Sequence, residues 1–176
     1  MRKLIAVVIV LGSVACSAAQ SVLESFNVLL KDDGRTWCAY RNPDEFKVDV
    51  ATLRPTDSVR ITYQENALVE LTYQIEAESG DWIVLDKYTP SNGDLLLKRA
   101  VLLAQENLQI IQESVIHEGK LGAFHIVRVT TLDGKNAEMS DVDLPTVPAK
   151  TDLLGQPFVQ VVMDLRSRSL SKLCKP

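Results

Sequence analysis

From residue 58 onward the chain alternates β-branched, aromatic and leucine-rich runs with turn signals at short, similar intervals. The turns are Glu65-Asn66-Ala67, Ser79-Gly80, Asn92-Gly93, Gln105-Glu106-Asn107, Glu118-Gly119 and Asp133-Gly134. Runs of this length between such turns predict strands joined by hairpins, a β-meander. Asn92-Gly93 and Asp133-Gly134 are the strongest signals, because a type I′ turn needs positive φ at both central residues. Upstream, Asp33-Gly34 predicts another hairpin, joining residues 26–30 to residues 37–40. Downstream, Pro145 and Pro148 mark a loop, and residues 158–165 read as a last strand. The predicted fold class is all-β: an antiparallel meander of about eight to ten strands, barrel-like or a sandwich. It occupies one β-rich domain over residues 20–165, followed by a basic tail over 166–176 tethered by Cys174.

One segment also fits a helix. Leu97, Val101, Ala104, Leu108, Ile111 and Val115 are spaced like one helical stripe, with Asp94 as a cap and Gly119 as a stop. A helix over 95–117, packed on an antiparallel sheet, would make the fold α+β. Hairpin pairing favours strands instead. A two-residue Asn92-Gly93 loop sets Tyr88 opposite Leu97, Asp86 opposite Arg99, Val84 opposite Val101 and Trp82 opposite Leu103. One opposite-charge pair and three apolar pairs are each favourable across strands. Lys87 opposite Lys98 is the defect, on the other face.

Extending that register places Tyr73 opposite Asp86 through the Ser79-Gly80 loop. A three-residue Gln105-Glu106-Asn107 loop sets Arg99 opposite Glu113, and a Gly119-centred loop sets Glu113 opposite His125. The row Tyr73–Asp86–Arg99–Glu113–His125 then crosses a face that also carries Trp82 and Tyr88. Three readings stay open for it. It is a solvated ladder of ion pairs, a cavity-lining network that orients a ligand, or a catalytic pair of carboxylates. The candidate ligand-binding residues are accordingly Tyr73, Trp82, Asp86, Tyr88, Arg99, Glu113 and His125.

Residues 1–19 carry Arg2 and Lys3, an apolar run over 4–11 and small residues before Gln20, the pattern of a secretory leader. Cys16 leaves open a lipoprotein route with an anchor at that cysteine. Loss of the leader removes two basic residues, leaving 17 basic against 23 acidic, net −6. That balance argues against nucleic acid as a partner. The two remaining cysteines, Cys38 and Cys174, are expected to form a disulfide in an oxidising compartment.

Little in the chain names a reaction. Gly-X-Ser-X-Gly and a glycine-rich phosphate loop are both missing. His117 and His125 are the only histidines, and strand spacing puts them too far apart for one metal ion. Asp32, Asp33, Asp141 and Asp143 read as turn and surface carboxylates rather than a calcium site. No catalytic residue, metal, cofactor or transmembrane span is therefore expected. The functional expectation is a secreted or periplasmic, non-enzymatic module that binds a small apolar molecule or an envelope protein. The alternatives are an envelope-directed hydrolase using Asp86 and Glu113, or a structural or assembly protein of the envelope.

Overall fold

The computed structural model describes residues 22–139 and 142–176, so the leader reading, Cys16 and Asp141 lie outside the described residues. Ten strands form one antiparallel sheet. They are β1 (Leu23–Leu30), β2 (Trp37–Tyr40), β3 (Asp57–Gln64), β4 (Ala67–Glu76), β5 (Trp82–Ser91), β6 (Asp94–Leu103), β7 (Leu108–His117), β8 (Lys120–Leu121), β9 (His125–Thr131) and β10 (Lys172–Lys175). The order across the sheet is β10-β2-β1-β3-β4-β5-β6-β7, with β8 and β9 both on the far side of β7. The two edges stay apart, so the all-β meander is open rather than a closed barrel. Residues 95–117 form β6 and β7, not a helix, and Asn92 and Gly93 both take the positive φ their hairpin requires.

The meander has one interruption. β2 and β3 lie on either side of β1 and both run antiparallel to it, hence parallel to each other. Parallel strands cannot be joined by a tight turn and need a crossover. α1 (Pro43–Leu53) supplies it. The Asn42 side chain accepts from the Asp44 N–H at 2.9 Å, and Pro43 occupies the first helical position. Phe46, Val50 and Leu53 form one helical stripe that packs on Leu29, Cys38 and Tyr40. This defines the outer face of the sheet.

The inner face has two covers. α2 (Pro157–Arg166) buries Phe158, Val159, Val161, Val162 and Leu165 over β1–β4 and neighbouring strands. Phe158 stacks on Tyr73 at 5.5 Å between ring centroids and meets Trp37 edge-on at 5.2 Å. The second cover is a strap without regular structure, residues 142–154. Its Val142, Leu144 and Val147 pack on Val84, Val101, Leu103 and Ile110. Residues 158–165, expected as a strand, are thus helical. Three valines raise β propensity there, but the sheet's apolar face recruits the 158-161/162-165 stripe as a helix.

The C-terminal residues are likewise built into the fold rather than forming a loose tail. β10 pairs with β2, and Cys38 and Cys174 sit directly opposite each other and are bonded as a disulfide. Lys172 meets Asp49 of α1 at 2.6 Å, and Lys175 pairs with Asp164 of α2. The Lys172 contact, and then the Tyr40 hydroxyl, hold the Asp49 carboxyl below its ordinary range, and Lys175 does the same for Asp164. Both helices are thereby tied to one short edge strand.

Replacing Cys38 and Cys174 together by alanine should destabilise the protein by about 2–5 kcal/mol in urea unfolding. Hydrogen exchange should accelerate first in β10, and a stability unchanged in the variant would count against the clasp. Acid should act on the same region. A carboxyl lowered on folding contributes stability that is complete above its unfolded pKa of about 4 and is lost as pH falls through the folded value. Asp49→Asn should therefore be less stable than the parent at pH 7 and lose less further stability below about pH 4. Parallel stability–pH curves for the two proteins would contradict this.

Candidate ligand cavity

Asp86 and Arg99 face each other across β5 and β6, as the hairpin register predicts, together with Val84–Val101, Trp82–Leu103 and Tyr88–Leu97. Both charged residues are buried on the inner face, 1% and 6% exposed. The guanidinium forks onto the carboxylate, with Nε to Oδ1 and Nη2 to Oδ2 both at 2.7 Å. Its Nη1 donates to the Val147 carbonyl of the strap at 2.8 Å, and its plane lies over the Phe124 ring at 4.8 Å. The Tyr88 hydroxyl donates to Asp86 at 3.3 Å and accepts from the Lys150 N–H of the strap at 2.8 Å. Burial, then the Asp86 charge, push the Tyr88 phenol up, so it stays protonated. A charge pair this dry is acceptable only when its remaining donors and acceptors are occupied, and here the Val147 carbonyl of the strap and the Tyr88 hydroxyl occupy them.

The row found in the sequence is only partly assembled. Tyr73 lies opposite Asp86 as expected, stacked under Phe158. Burial and then the Asp57 charge raise its phenol pKa. Arg99, however, opposes Gln112 and not Glu113. The β6–β7 loop has four residues, because Leu103 pairs with Leu108. This one-residue difference turns every β7 side chain over. It places Leu108, Ile110 and Ile116 in the core and leaves Glu113 and His117 out, whereas the three-residue loop would bury those two polar groups. Glu113 instead pairs with Lys98 on the outer face at 3.3 Å, while Lys87 pairs with Glu70 at 2.7 Å. The Lys87–Lys98 juxtaposition is neutralised in this way. His125 does oppose Glu113, but on exposed β9. Trp82 packs at the second core cluster. The structure thus unites Tyr73, Asp86, Tyr88 and Arg99 and separates Glu113 and His125 from them.

None of these seven residues lines the apolar cavity that the described residues form beside α2. That cavity, about 490 Å³, opens where the β3–β4 and β5–β6 turns meet α2 and the end of the strap. Its walls are Tyr63, Asn66, Leu68, Pro90, Leu95, residues 151–154, Met163 and Arg166. Leu154 and Met163 are 62% and 49% exposed, so its rim is apolar as well. Arg166 closes one side: it bonds Glu24 of β1 at 2.9 Å and the Glu65 carbonyl, and lies 4.3 Å over the Tyr63 ring. The turn residues at its mouth were visible as hairpin signals. The α2 wall was not, since that segment reads as a strand.

Other candidates have local roles. Asp33 caps its turn through Thr36 and the Arg35 N–H, with its carboxyl lowered to about 2 chiefly by the Thr36 hydroxyl. His117 pairs with Asp94 at 2.6 Å on the surface. A cluster of three or more potential metal ligands does not occur among the described residues. No protein-family model, curated protein or solved structure matches this chain.

Arg99→Ala should cost on the order of 3–5 kcal/mol in urea unfolding, since it strands the Asp86 carboxylate in the core. Glu113→Ala should cost no more than about 1 kcal/mol, being an exposed pair with Lys98. The double variant should be additive, because the two residues sit on opposite faces. A coupling energy between them would contradict the observed register.

Proposed function

We propose that this chain is an exported, non-enzymatic binding module that holds a small apolar ligand between the sheet and α2. The cavity of about 490 Å³, with mostly apolar walls and an apolar rim at Leu154 and Met163, carries the reading. Ligand sites are concave, mostly apolar and of this size, with a few polar groups that set orientation. The outer-face groove between α1 and β3–β4 has a similar volume but includes Arg54, Glu76 and Glu78 in its walls, which suits an apolar guest less well. The hydrolase alternative is weaker: Asp86 is locked by Arg99, and Glu113 lies on the other face. Export is supported by the leader pattern of residues 1–19 and by the Cys38–Cys174 disulfide, which belongs to oxidising compartments. Among the described residues no helix is long and apolar enough to cross a membrane. A lipid anchor at Cys16 is the competing route for the same leader.

Fluorescence titration with N-phenyl-1-naphthylamine, an uncharged apolar probe, tests the cavity. Saturable binding is expected for the parent, and Leu95→Glu should weaken it by at least about tenfold, because the carboxylate would enter an apolar wall. Leu96→Glu, on the outer face, serves as the control and should bind like the parent. Absence of saturable binding, or equal losses in both variants, would reject the cavity as the site.

A further inference from the structure

The outer face carries a further concavity of about 340 Å³, bounded by the first half of α1, by β1 and β3, and by Arg41 just after β2. Strand alternation sends Phe26, Val28, Val59 and Ile61 into the core, so Ser25, Asn27 and Arg60 point the opposite way, into this concavity. Its charge is one-sided. Arg41, Lys47 and Arg60 line it and no carboxylate does, in a chain with 19 basic and 23 acidic residues. By contrast, the apolar cavity sets Asp152 beside Arg166, and the groove between α1 and β3–β4 sets Glu76 and Glu78 beside Arg54. Acidic residues of the surrounding elements are engaged elsewhere: Glu70 by Lys87, Glu24 by Arg166, and Glu45 by the Ser171 hydroxyl at 3.2 Å. Asp44 meets Lys47 at 3.3 Å, but both groups are largely exposed and such a pair is weak. Arg60 faces Asn27 on one neighbouring strand and Thr72 on the other, and among the described residues its guanidinium has no partner. Arg41 donates to the Leu165 carbonyl at 3.3 Å, which leaves its charge unmatched.

We propose that this outer-face concavity binds a small organic phosphate monoester, with Arg60 and Lys47 holding its phosphate oxygens. A phosphate monoester brings up to two negative charges and three acceptor oxygens, which suits several unmatched cations better than a carboxylate does. The planar fork of Arg60 takes two oxygens and the Lys47 ammonium acts as a point charge on the third. The Asn27 amide and the Ser25 hydroxyl are uncharged donors in the same walls, and Phe46 gives the organic part an apolar surface. Arg41 adds positive potential at one side. All three cations are exposed, so a ligand reaches them without any rearrangement. The site lies on the face opposite the apolar cavity and is independent of it.

The test titrates the purified protein calorimetrically with phenyl phosphate, inorganic phosphate and phenol, and follows backbone amide shifts by NMR. Phenyl phosphate should bind saturably at one site, more tightly than inorganic phosphate, and phenol should not bind there. The amides that move should be those of residues 25–27, 43–47 and 60. Arg60→Gln should weaken phenyl phosphate about tenfold, the worth of a charge-assisted hydrogen bond, and Lys47→Gln should weaken it as well. Arg128→Gln, which removes an exposed cation on β9, should bind like the parent. Ligand-free Arg60→Gln should unfold at the same urea concentration as the parent, because Arg60 has no partner to lose. Absence of saturable binding, amide shifts elsewhere, or an equal loss in Arg128→Gln overturns the site. Inorganic phosphate or phenol binding as tightly as phenyl phosphate overturns the organic monoester as its ligand. Co-sedimentation with phosphatidic acid vesicles, without binding of phenyl phosphate, overturns it in favour of a membrane surface. Lower stability of Arg60→Gln overturns it too, by revealing a partner within the protein.

Discussion

An open sheet with one apolar face must have that face covered, and in this molecule α2 covers the larger half of it. Five of its ten residues are buried there. Burial of each large side chain is worth about 1.5–3 kcal/mol, far more than a ten-residue helix gains from its own hydrogen bonds. Helix and sheet therefore depend on each other. The remaining ties act on this one contact: Arg166 to Glu24, Lys175 to Asp164, and Arg41 to the Leu165 carbonyl at 3.3 Å. β10 and its disulfide then hold the segment after α2 against β2.

The other half of the inner face is covered by the strap, which has no ladder of its own to satisfy its backbone. Arg99 and Tyr88 supply part of what is missing, at Val147 and Lys150. The Asp86–Arg99 pair is thus best understood as a polar anchor for a chain segment otherwise held by apolar contacts, Val142, Leu144 and Val147 on one core cluster and Ala149 and Leu153 on the other. The cavity lies beside the end of this strap, bounded by α2 on another side. Its walls come from two covers joined where Gln160 of α2 donates to the Leu154 carbonyl of the strap at 2.6 Å, and neither closes over the apolar rim at Leu154 and Met163.

The outer face follows a different economy. α1 protects β1 and β2, while β4 to β7 expose a surface in which Glu70, Lys87, Lys98 and Glu113 pair among themselves. Leu96 and Val115 remain 40% and 45% exposed beside them. The paired charges let two lysines sit opposite each other without a net defect, and the same need explains where Glu113 had to point.

Much of the meander was legible locally. Turn dipeptides and strand alternation were sufficient for the β1–β2 hairpin, the Tyr73–Asp86–Arg99 alignment and the β5–β6 register, because hairpin geometry depends on a few adjacent residues. The cysteine pair followed from counting. The β6–β7 register did not follow, since β7 carries apolar residues at both parities and only the packed core chooses between them. α1 left an Asn42-Pro43-Asp44 start and a 46-50-53 stripe that strand-based reading passed over. α2 left a misleading one, because Val159, Val161 and Val162 favour a strand by propensity. Only the tertiary structure decided that it is a helix, that β10 closes the edge, and that Tyr63 meets Arg166 and Leu95 around a cavity. Those outcomes depend on which surfaces remain to be covered once the sheet has formed, a property of the assembled chain and of no local stretch of it.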